Sequence, residues 1–141
     1  MLLLIVRQLR VEQAKFQFGF ILVFLVVARL ALLFTGLPLL SDDVYRFFWD
    51  GLLLAKGVNP YQFVPESGLL LEALDETSKN KLLSLLPYLS SQSYYSVYTP
   101  LNQFIFALPH VFGVQSMVGF TAFIRVIFLL ADVAAFFAVI R

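Results

Sequence analysis

Three long apolar runs alternate with more polar segments along this chain. The first run, residues 16–40, is apolar apart from Gln17 and Arg29. A helix needs about 20 residues to cross the hydrocarbon core of a bilayer, so this run is predicted to be a transmembrane helix. Two later runs, 98–113 and 118–140, predict a second and a third. The short turn between those two predicts that they are antiparallel neighbours.

The segments outside these runs differ in charge. Residues 1–15 begin with a short apolar stretch and then carry three bases and one acid, which predicts an interfacial or cytoplasmic N-terminal segment. Residues 41–97 form a long loop with seven acids and four bases. Because Lys and Arg near membrane ends concentrate on the cytoplasmic side, the N-terminus is predicted to be cytoplasmic and the loop to face outward.

Two stretches of the loop have helical periodicity. Apolar positions recur at helical spacing over residues 44–55, with Ser41 or Asp42 as the cap and Gly57 as the stop. Over residues 69–86, leucines alternate with charged residues. This pattern predicts one or two amphipathic helices on the bilayer surface, although a helical hairpin packed on itself outside the membrane has the same pattern.

Composition agrees with a membrane protein. Hydrophobic residues make up 60% of the chain and the mean hydropathy is +0.86, whereas a soluble domain has about 45–50% apolar residues. The predicted fold class is therefore an all-α membrane protein with about three transmembrane helices and a long outer loop of amphipathic surface helices. The net charge of +1 and the scattered bases predict no nucleic-acid partner. Zero cysteines exclude disulfides and thiolate metal sites.

Four ionisable residues lie inside the predicted spans: Arg29, His110, Arg125 and Asp132. Such residues are costly in a bilayer and are functional candidates by default. Counted from the cytoplasmic side, Arg29 and Asp132 come out near mid-membrane, so they are predicted to face the bundle interior and to pair. A structural ion pair and a substrate contact both fit this placement. His110 has no second histidine at ligand spacing and is interpreted as a satisfied structural histidine next to Pro109.

Charge is most concentrated in residues 41–51, directly after the first predicted span. Asp43, Arg46 and Asp50 lie three and four residues apart, so they share a helix face and can pair. A carboxylate at a helix N-terminus is favoured in its ionised form by the helix dipole, and it can then act as a base. Ordinary cap and surface charges at a membrane exit are the alternative interpretation.

Three sequence blocks carry a resemblance to a known family. They are residues 41–51 (SDDVYRFFWDG), 57–61 (GVNPY) and 94–101 (YYSVYTPL). Together they resemble the first outer loop of bacterial GT-C class glycosyltransferases, in particular mannosyltransferase-like members that take a sugar from a polyprenyl phosphate. The resemblance covers roughly residues 37–132. Thr99 departs from the family pattern, which has a proline there.

The resemblance implies roles for individual residues. It implies sugar transfer with inversion on the outer membrane face, with Asp42 as general base and Asp43 orienting it or binding the acceptor. Arg46 would either hold the carboxylates in place or neutralise the phosphate. Trp49 and Tyr61 would stack on a sugar or, as the preferred role, anchor the helix at the interface. The full set of implied substrate-binding residues is Arg46, Trp49, Asp50, Tyr61 and Tyr98.

The resemblance also implies partners and a location. The partners are membrane lipid, a polyprenyl-phosphate sugar donor and a glycan or lipid acceptor, in a multi-pass protein of the bacterial inner membrane. No cofactor is implied, and the sequence does not indicate a divalent cation. Enzymes of this class have many more than three spans, so the chain is expected to be the N-terminal part of a longer enzyme and to be inactive without its remaining helices. A non-catalytic membrane subunit or relic, and a transporter using Arg29, Arg125 and Asp132, stay open.

Overall fold

The computed structural model describes residues 2–33, 41–68, 72 and 74–139, with side chains from Gln17 onward. This part of the chain contains helices and no strand, which confirms the predicted all-α class. The α-helices are α1 (Leu2–Leu33), α2 (Asp43–Ala55), α3 (Glu76–Leu85), α4 (Pro100–Val111) and α5 (Met117–Val139). Short 3-10 helices cover Pro65–Ser67 and Leu86–Tyr88. Parts of the predicted elements, at 34–40, 69–71, 73 and 140–141, lie outside the described residues.

The helices belong to two compact units. The first unit combines α1 with the part of α5 that begins at Arg125, and the second contains α2, α3, α4 and the first turns of α5. The acidic motif lies in the second unit.

Polar contacts join α1 and α5 within the first unit. Arg29 Nε donates to the Asp132 carboxylate at 2.9 Å, which confirms the predicted pair. Both side chains are nearly half exposed within the structure, at 45% and 40%. Arg125 Nη1 donates to the Leu32 carbonyl at 2.6 Å, so the second arginine also reaches across to α1.

The same contacts give the relative direction of α1 and α5. Each later position on α1 meets an earlier position on α5: Phe18 meets Phe136, Arg29 meets Asp132, and Leu32 meets Arg125. The two helices therefore run antiparallel. If the chain crossed the membrane three times in succession, the first and third spans would be parallel. The antiparallel direction of α1 and α5 is therefore relevant to the number of crossings.

One helix in the described part of the chain is both long and apolar enough to cross a membrane, and it is α5. Within α1 the described apolar stretch is shorter, Gln17–Leu32. Helix α4 has 12 residues, which at about 1.5 Å per residue is roughly 18 Å, against a hydrocarbon core of about 30 Å. The predicted second span at 98–113 is therefore not confirmed.

The second unit is built on the packing of α2 against α4. The helices touch at Gly51, where an added Cβ would lie 2.2 Å from the Phe106 carbonyl oxygen. Beside this contact the ring of Phe47 stacks on that of Phe106 at 4.5 Å. Phe48 and Trp49, which follow Phe47 on α2, are also buried, at 0% and 1% exposure. Glycine at position 51 therefore sets the distance between the two helices.

We expect Gly51→Ala to destabilise the second unit by about 3 kcal/mol, at the upper end of the usual cost of overpacking. The obstruction is a backbone carbonyl, so no side-chain rotation relieves it and α4 has to move. Gly19→Ala is the matched control, because Gly19 is also helical and its added Cβ would meet nothing within 4 Å. Helix propensity predicts that this control stabilises by up to about 1 kcal/mol. Thermal unfolding of both variants in detergent measures the difference, and equal melting temperatures would contradict the close packing.

The C-terminal end of α2 and the start of α3 follow local sequence signals. Gly57 adopts φ +78°, and the N–H of Val58 bonds the Leu53 carbonyl at 2.9 Å, which is the Schellman ending that the glycine predicted. Asp75 caps α3 by accepting the Ser78 N–H at 3.1 Å. Hydrogen bonds from Lys56 and Ser78 hold the pKa of Asp75 well below its usual range.

The predicted amphipathic region 69–86 is represented by α3, which begins only at Glu76. Its leucines divide between two environments: Leu82 and Leu85 are buried in the second unit, whereas Leu83 is exposed. Within the described residues, much of the apolar surface of α3 therefore packs on protein, as in the alternative of a hairpin packed outside the membrane. Contact of α3 with the bilayer stays a prediction.

Candidate functional site

The acidic pair lies at the exposed N-terminus of α2. Ser41, Asp42 and Asp43 are all exposed. The Ser41 hydroxyl donates to the Asp43 carboxylate at 2.9 Å and accepts the Asp43 N–H at 3.2 Å. Asp42 occupies the N-cap position, but its side chain makes no capping hydrogen bond. Of the two proposed caps, Ser41 therefore supplies the side-chain bond, and Asp42 keeps its carboxylate available.

The two carboxylates differ in how they are held. Asp43 is fixed by Ser41 and lies beside the Tyr98 hydroxyl. Burial raises the pKa of Tyr98, and the neighbouring charges of Asp43 and Asp50 raise it further, so this hydroxyl stays protonated beside Asp43. The Asp42 carboxylate has no hydrogen bond or ion pair to other residues in the described ranges. Asp43 is thus an oriented carboxylate, and Asp42 is a free one next to it.

Below the acidic pair, Arg46 and Asp50 form a buried ion pair one helical turn apart. Arg46 Nε donates to Asp50 at 2.9 Å, with side-chain exposures of 4% and 0%. Arg46 Nη1 also donates to the backbone carbonyls of Ser91 and Tyr94, both at 2.9 Å. The spacing in the sequence predicted this pair, and the structure adds that the guanidinium binds the loop that leads toward α4.

Two further donors complete the surroundings of Asp50. Ser96 Oγ donates to its second carboxylate oxygen at 2.6 Å, and Gln103 Nε2 donates to the same oxygen at 2.9 Å. Gln103 Nε2 also donates to Ser96 Oγ at 2.6 Å. A buried carboxylate is tolerated when its charge is paired and its oxygens are hydrogen-bonded, and Asp50 meets both conditions.

Gln103 is the member of this network that sequence reasoning missed. It is 1% exposed on α4, and it joins α4 to α2 through Asp50. The signal for it is modest: Gln103 is one of few polar residues in the apolar run 98–113, and buried polar groups need a partner. Nothing in the sequence says that the partner is Asp50, more than fifty positions earlier.

Burial separates the predicted substrate-binding residues into two groups. Arg46, Trp49 and Asp50 are at most 3% exposed, so their side chains face the interior of the second unit. For Trp49 this placement does not fit the preferred role of an anchor at the membrane interface, because its ring is enclosed by protein. Tyr61 and Tyr98 remain partly exposed. Substrate contact by any of the five stays a prediction.

The Asn-Pro-Tyr block forms a turn that reaches the third block. Asn59 Oδ1 accepts the Tyr61 N–H at 3.0 Å, which orients the tyrosine. The Tyr61 hydroxyl donates to the Tyr98 carbonyl at 2.5 Å. Directly after it, Thr99 accepts the Asn102 N–H and caps α4, so the threonine that departs from the family pattern supplies a favourable N-cap. The three sequence blocks therefore meet in one cluster.

His110 has a structural environment. It is 8% exposed; its ring meets Phe48 edge-on at 4.5 Å and stacks with Phe120 at 5.3 Å. This packing is that of a structural histidine. Both ring nitrogens are buried without a hydrogen-bond partner among the described residues, so the expectation that the histidine is satisfied is not confirmed. Among the described residues, no group of three or more His, Cys, Asp or Glu side chains is arranged to hold a metal ion.

Comparison with known proteins returns no family model, no curated protein and no solved structure that matches this chain. The motifs and the geometry of the site therefore carry the functional inference.

Proposed function

We propose that this chain is the N-terminal part of a membrane glycosyltransferase of the GT-C type. It would move a sugar, mannose in the first instance, from a polyprenyl-phosphate donor to a glycan or lipid acceptor on the outer face of the bacterial inner membrane. One observation carries the proposal: the charge cluster of residues 42–50 is divided, with Asp42 and Asp43 exposed at a helix N-terminus while Arg46 and Asp50 are buried beneath them. The two exposed carboxylates therefore lie at the end of a helix that the buried Arg46–Asp50 pair holds in place.

The chemistry assigned to the pair follows from how each is held. Asp42, which carries no internal hydrogen bond, accepts the proton of the acceptor hydroxyl as that oxygen attacks the anomeric carbon. The bond from that carbon to the phosphate oxygen breaks on the opposite face, and the polyprenyl phosphate leaves with the electron pair. Asp43, fixed by Ser41, orients the acceptor.

Of the two roles left open for Arg46, holding the scaffold is better supported than binding phosphate. Its guanidinium is bonded to Asp50 and to two backbone carbonyls, and the residue is 3% exposed. A leaving phosphate has to reach the cation that stabilises it. The proposed mechanism therefore gives Arg46 a positioning role and leaves the phosphate to a cation elsewhere in the enzyme.

The proposal includes a membrane topology with two crossings rather than three. With the N-terminus cytoplasmic, α1 runs outward, and an antiparallel α5 runs inward. Residues 41–116 then begin and end on the outer side, and α4, which is short for a crossing, stays there. Under this proposed topology, the whole candidate site would lie on the face where lipid-linked sugars are used.

Single cysteines test this topology, because the chain has none of its own. Ser116→Cys, in the exposed turn between α4 and α5, is expected to react with a membrane-impermeant maleimide in intact spheroplasts. Three crossings would put this turn in the cytoplasm. Ser93→Cys is the control that faces outward in either topology, and Gln8→Cys is the control that faces inward. Labelling of Ser116→Cys only after permeabilisation would reinstate the second span.

The enzyme class is tested by transfer from radiolabelled polyprenyl-phosphate mannose in membranes that carry the full-length reading frame, which includes the remaining helices of the proposed enzyme. We expect label to appear in a glycan or lipid acceptor, and a panel of donors with other sugars identifies the one preferred. Absence of transfer from every donor would contradict the proposal and favour a non-catalytic subunit. The structure does not support the transporter alternative, in which these residues line a pathway. Arg29 is paired with Asp132, and Arg125 donates to the backbone of α1.

A further inference from the structure

The single histidine of the chain lies where three helices of the second unit meet. His110 is in the last turn of α4 and is 8% exposed. Its ring meets Phe48 of α2 edge-on at 4.5 Å and stacks with Phe120 of α5 at 5.3 Å. Both phenylalanines are fully buried. The imidazole is therefore enclosed by aromatic rings from two neighbouring helices, and the proposed mechanism gives it no role.

The surroundings of His110 fit a neutral imidazole and not a protonated one. Nδ1 and Nε2 are both buried without a hydrogen-bond partner among the described residues. The backbone of Phe48 and of Val114 faces the ring and acts to raise its pKa, but it forms no regular hydrogen bond to either nitrogen. An imidazolium donates from both nitrogens. Its burial at this position would cost the desolvation of a charge without the acceptors that offset it.

The charged side chain that acts on the ring is a cation. While α2 and α5 present Phe48 and Phe120, α3 places Lys81 nearby. The Lys81 ammonium donates to both oxygens of Gln115, in the turn after α4, and lies 5.7 Å from the centre of the Phe48 ring. Its charge opposes a second positive charge on His110. Burial, and to a lesser extent Lys81, lower the pKa of His110 to about 4.

We infer that His110 makes the second unit sensitive to acid, because the closed packing of α2, α4 and the first turns of α5 accepts the neutral imidazole and excludes the protonated one. Protonation then requires the ring to separate from Phe48 and Phe120. Phe48 lies on the helix that carries Asp42 and Asp43, so the same event loosens the support of the acidic pair. Its effect on activity rests on the proposed function, whereas the acid sensitivity itself does not.

The direction of the pH dependence follows from the lowered pKa. A histidine in an unfolded chain has a pKa of about 6.5, whereas burial lowers that of His110 to about 4. Above about pH 6.5 the ring is neutral in both states, so it adds no pH dependence. As the pH falls below that value, the unfolded state takes up a proton that the folded state excludes, and stability is lost. Between pH 7.5 and 5, the ratio of folded to unfolded protein should fall about tenfold or more.

Two measurements on the full chain in detergent test this inference. Because the chain has one histidine, the imidazole C–H signals in its NMR spectrum belong to His110. We expect these signals not to titrate between pH 7.5 and 5 while the protein stays folded. Over the same range, the melting temperature should fall by about 6–11 °C, since a tenfold change in the ratio corresponds to about 1.4 kcal/mol.

Two variants without a titrating ring make the test specific. His110→Phe and His110→Leu should each lose most of the difference in melting temperature between pH 7.5 and 5. The leucine variant serves if the larger phenylalanine ring does not fit the enclosure. Neither variant leaves a polar nitrogen buried without a partner, so both should be at least as stable as the native protein at pH 5. Leu108→Phe, at a partly exposed position of α4, is the control that retains His110 and should keep the native pH dependence.

Two outcomes would overturn the inference. One is an imidazole that titrates in the folded protein with the ordinary midpoint of about 6.5, because the closed packing would then accept the charge. The other is a pH dependence of melting that persists in both His110 variants, because other groups would then cause it. Neither measurement uses sugar transfer, so failure of the proposed activity and failure of this inference are separate results.

Discussion

Replacing Asp50 with asparagine is expected to destabilise the second unit by about 3–5 kcal/mol, the usual cost of removing one partner from a buried ion pair. The carboxylate is fully buried and receives Arg46, Ser96 and Gln103. The asparagine leaves the Arg46 charge buried without its counterion, and its amide nitrogen faces donors where an acceptor is needed. For a domain of 60–100 residues, such a loss lowers the melting temperature by at least about 12 °C.

Two further variants test whether the loss of stability is specific to Asp50 or follows from any change of charge on α2. Asp43→Asn changes an exposed carboxylate on the same helix and should melt close to the native protein. The double variant Arg46→Met with Asp50→Leu removes both charges, and it should recover a large part of the loss because no uncompensated charge remains. Equal melting of Asp50→Asn and Asp43→Asn would contradict the structural role of Asp50.

Replacing Asp42 with asparagine is expected to lower sugar transfer by about 10²–10⁴-fold, the usual contribution of a general base. Asparagine has nearly the same shape but cannot take the acceptor proton. Because the Asp42 side chain makes no capping bond, the melting temperature should stay near that of the native protein. Initial rates of transfer per amount of folded protein measure the effect.

Asp43→Asn distinguishes the two carboxylates in the same assay. Asp43 is held by Ser41 and lies beside Tyr98, so we expect a smaller loss of rate and a weaker apparent affinity for the acceptor. The reverse pattern, with transfer kept in Asp42→Asn and lost in Asp43→Asn, would move the general base to Asp43.

Local and pairwise features of the fold could be predicted from the sequence. Helix α2 with its Gly57 ending, the Arg46–Asp50 pair and the Arg29–Asp132 pair each depend on short-range spacing or on the high cost of a lone charge in an apolar segment. These signals are specific, because a short helical spacing, or a single charge in an apolar segment, allows few alternative partners.

Features that depend on distant packing could not be predicted. The run 98–113 has enough apolar residues to suggest a crossing, but Phe106 and Ala107 are buried within the second unit, and α4 ends at Val111, just before Gly113 with its φ of +79°. Periodicity identifies an apolar face without saying whether lipid or protein covers it. The burial of Trp49 and the role of Gln103 likewise arise from the approach of α4 at Gly51, which no local pattern encodes.

The most direct test of the divided motif measures melting temperature and sugar transfer on the same preparations of the full-length enzyme, of which this chain is the proposed N-terminal part, and of its Asp42→Asn and Asp50→Asn variants. The proposed mechanism predicts that Asp42→Asn loses transfer and keeps its melting temperature, whereas Asp50→Asn loses stability first and activity only with it. Full transfer by a stably folded Asp42→Asn, together with lost transfer by an equally stable Asp50→Asn, would contradict the account, because the buried carboxylate would then be the one that acts on the substrate.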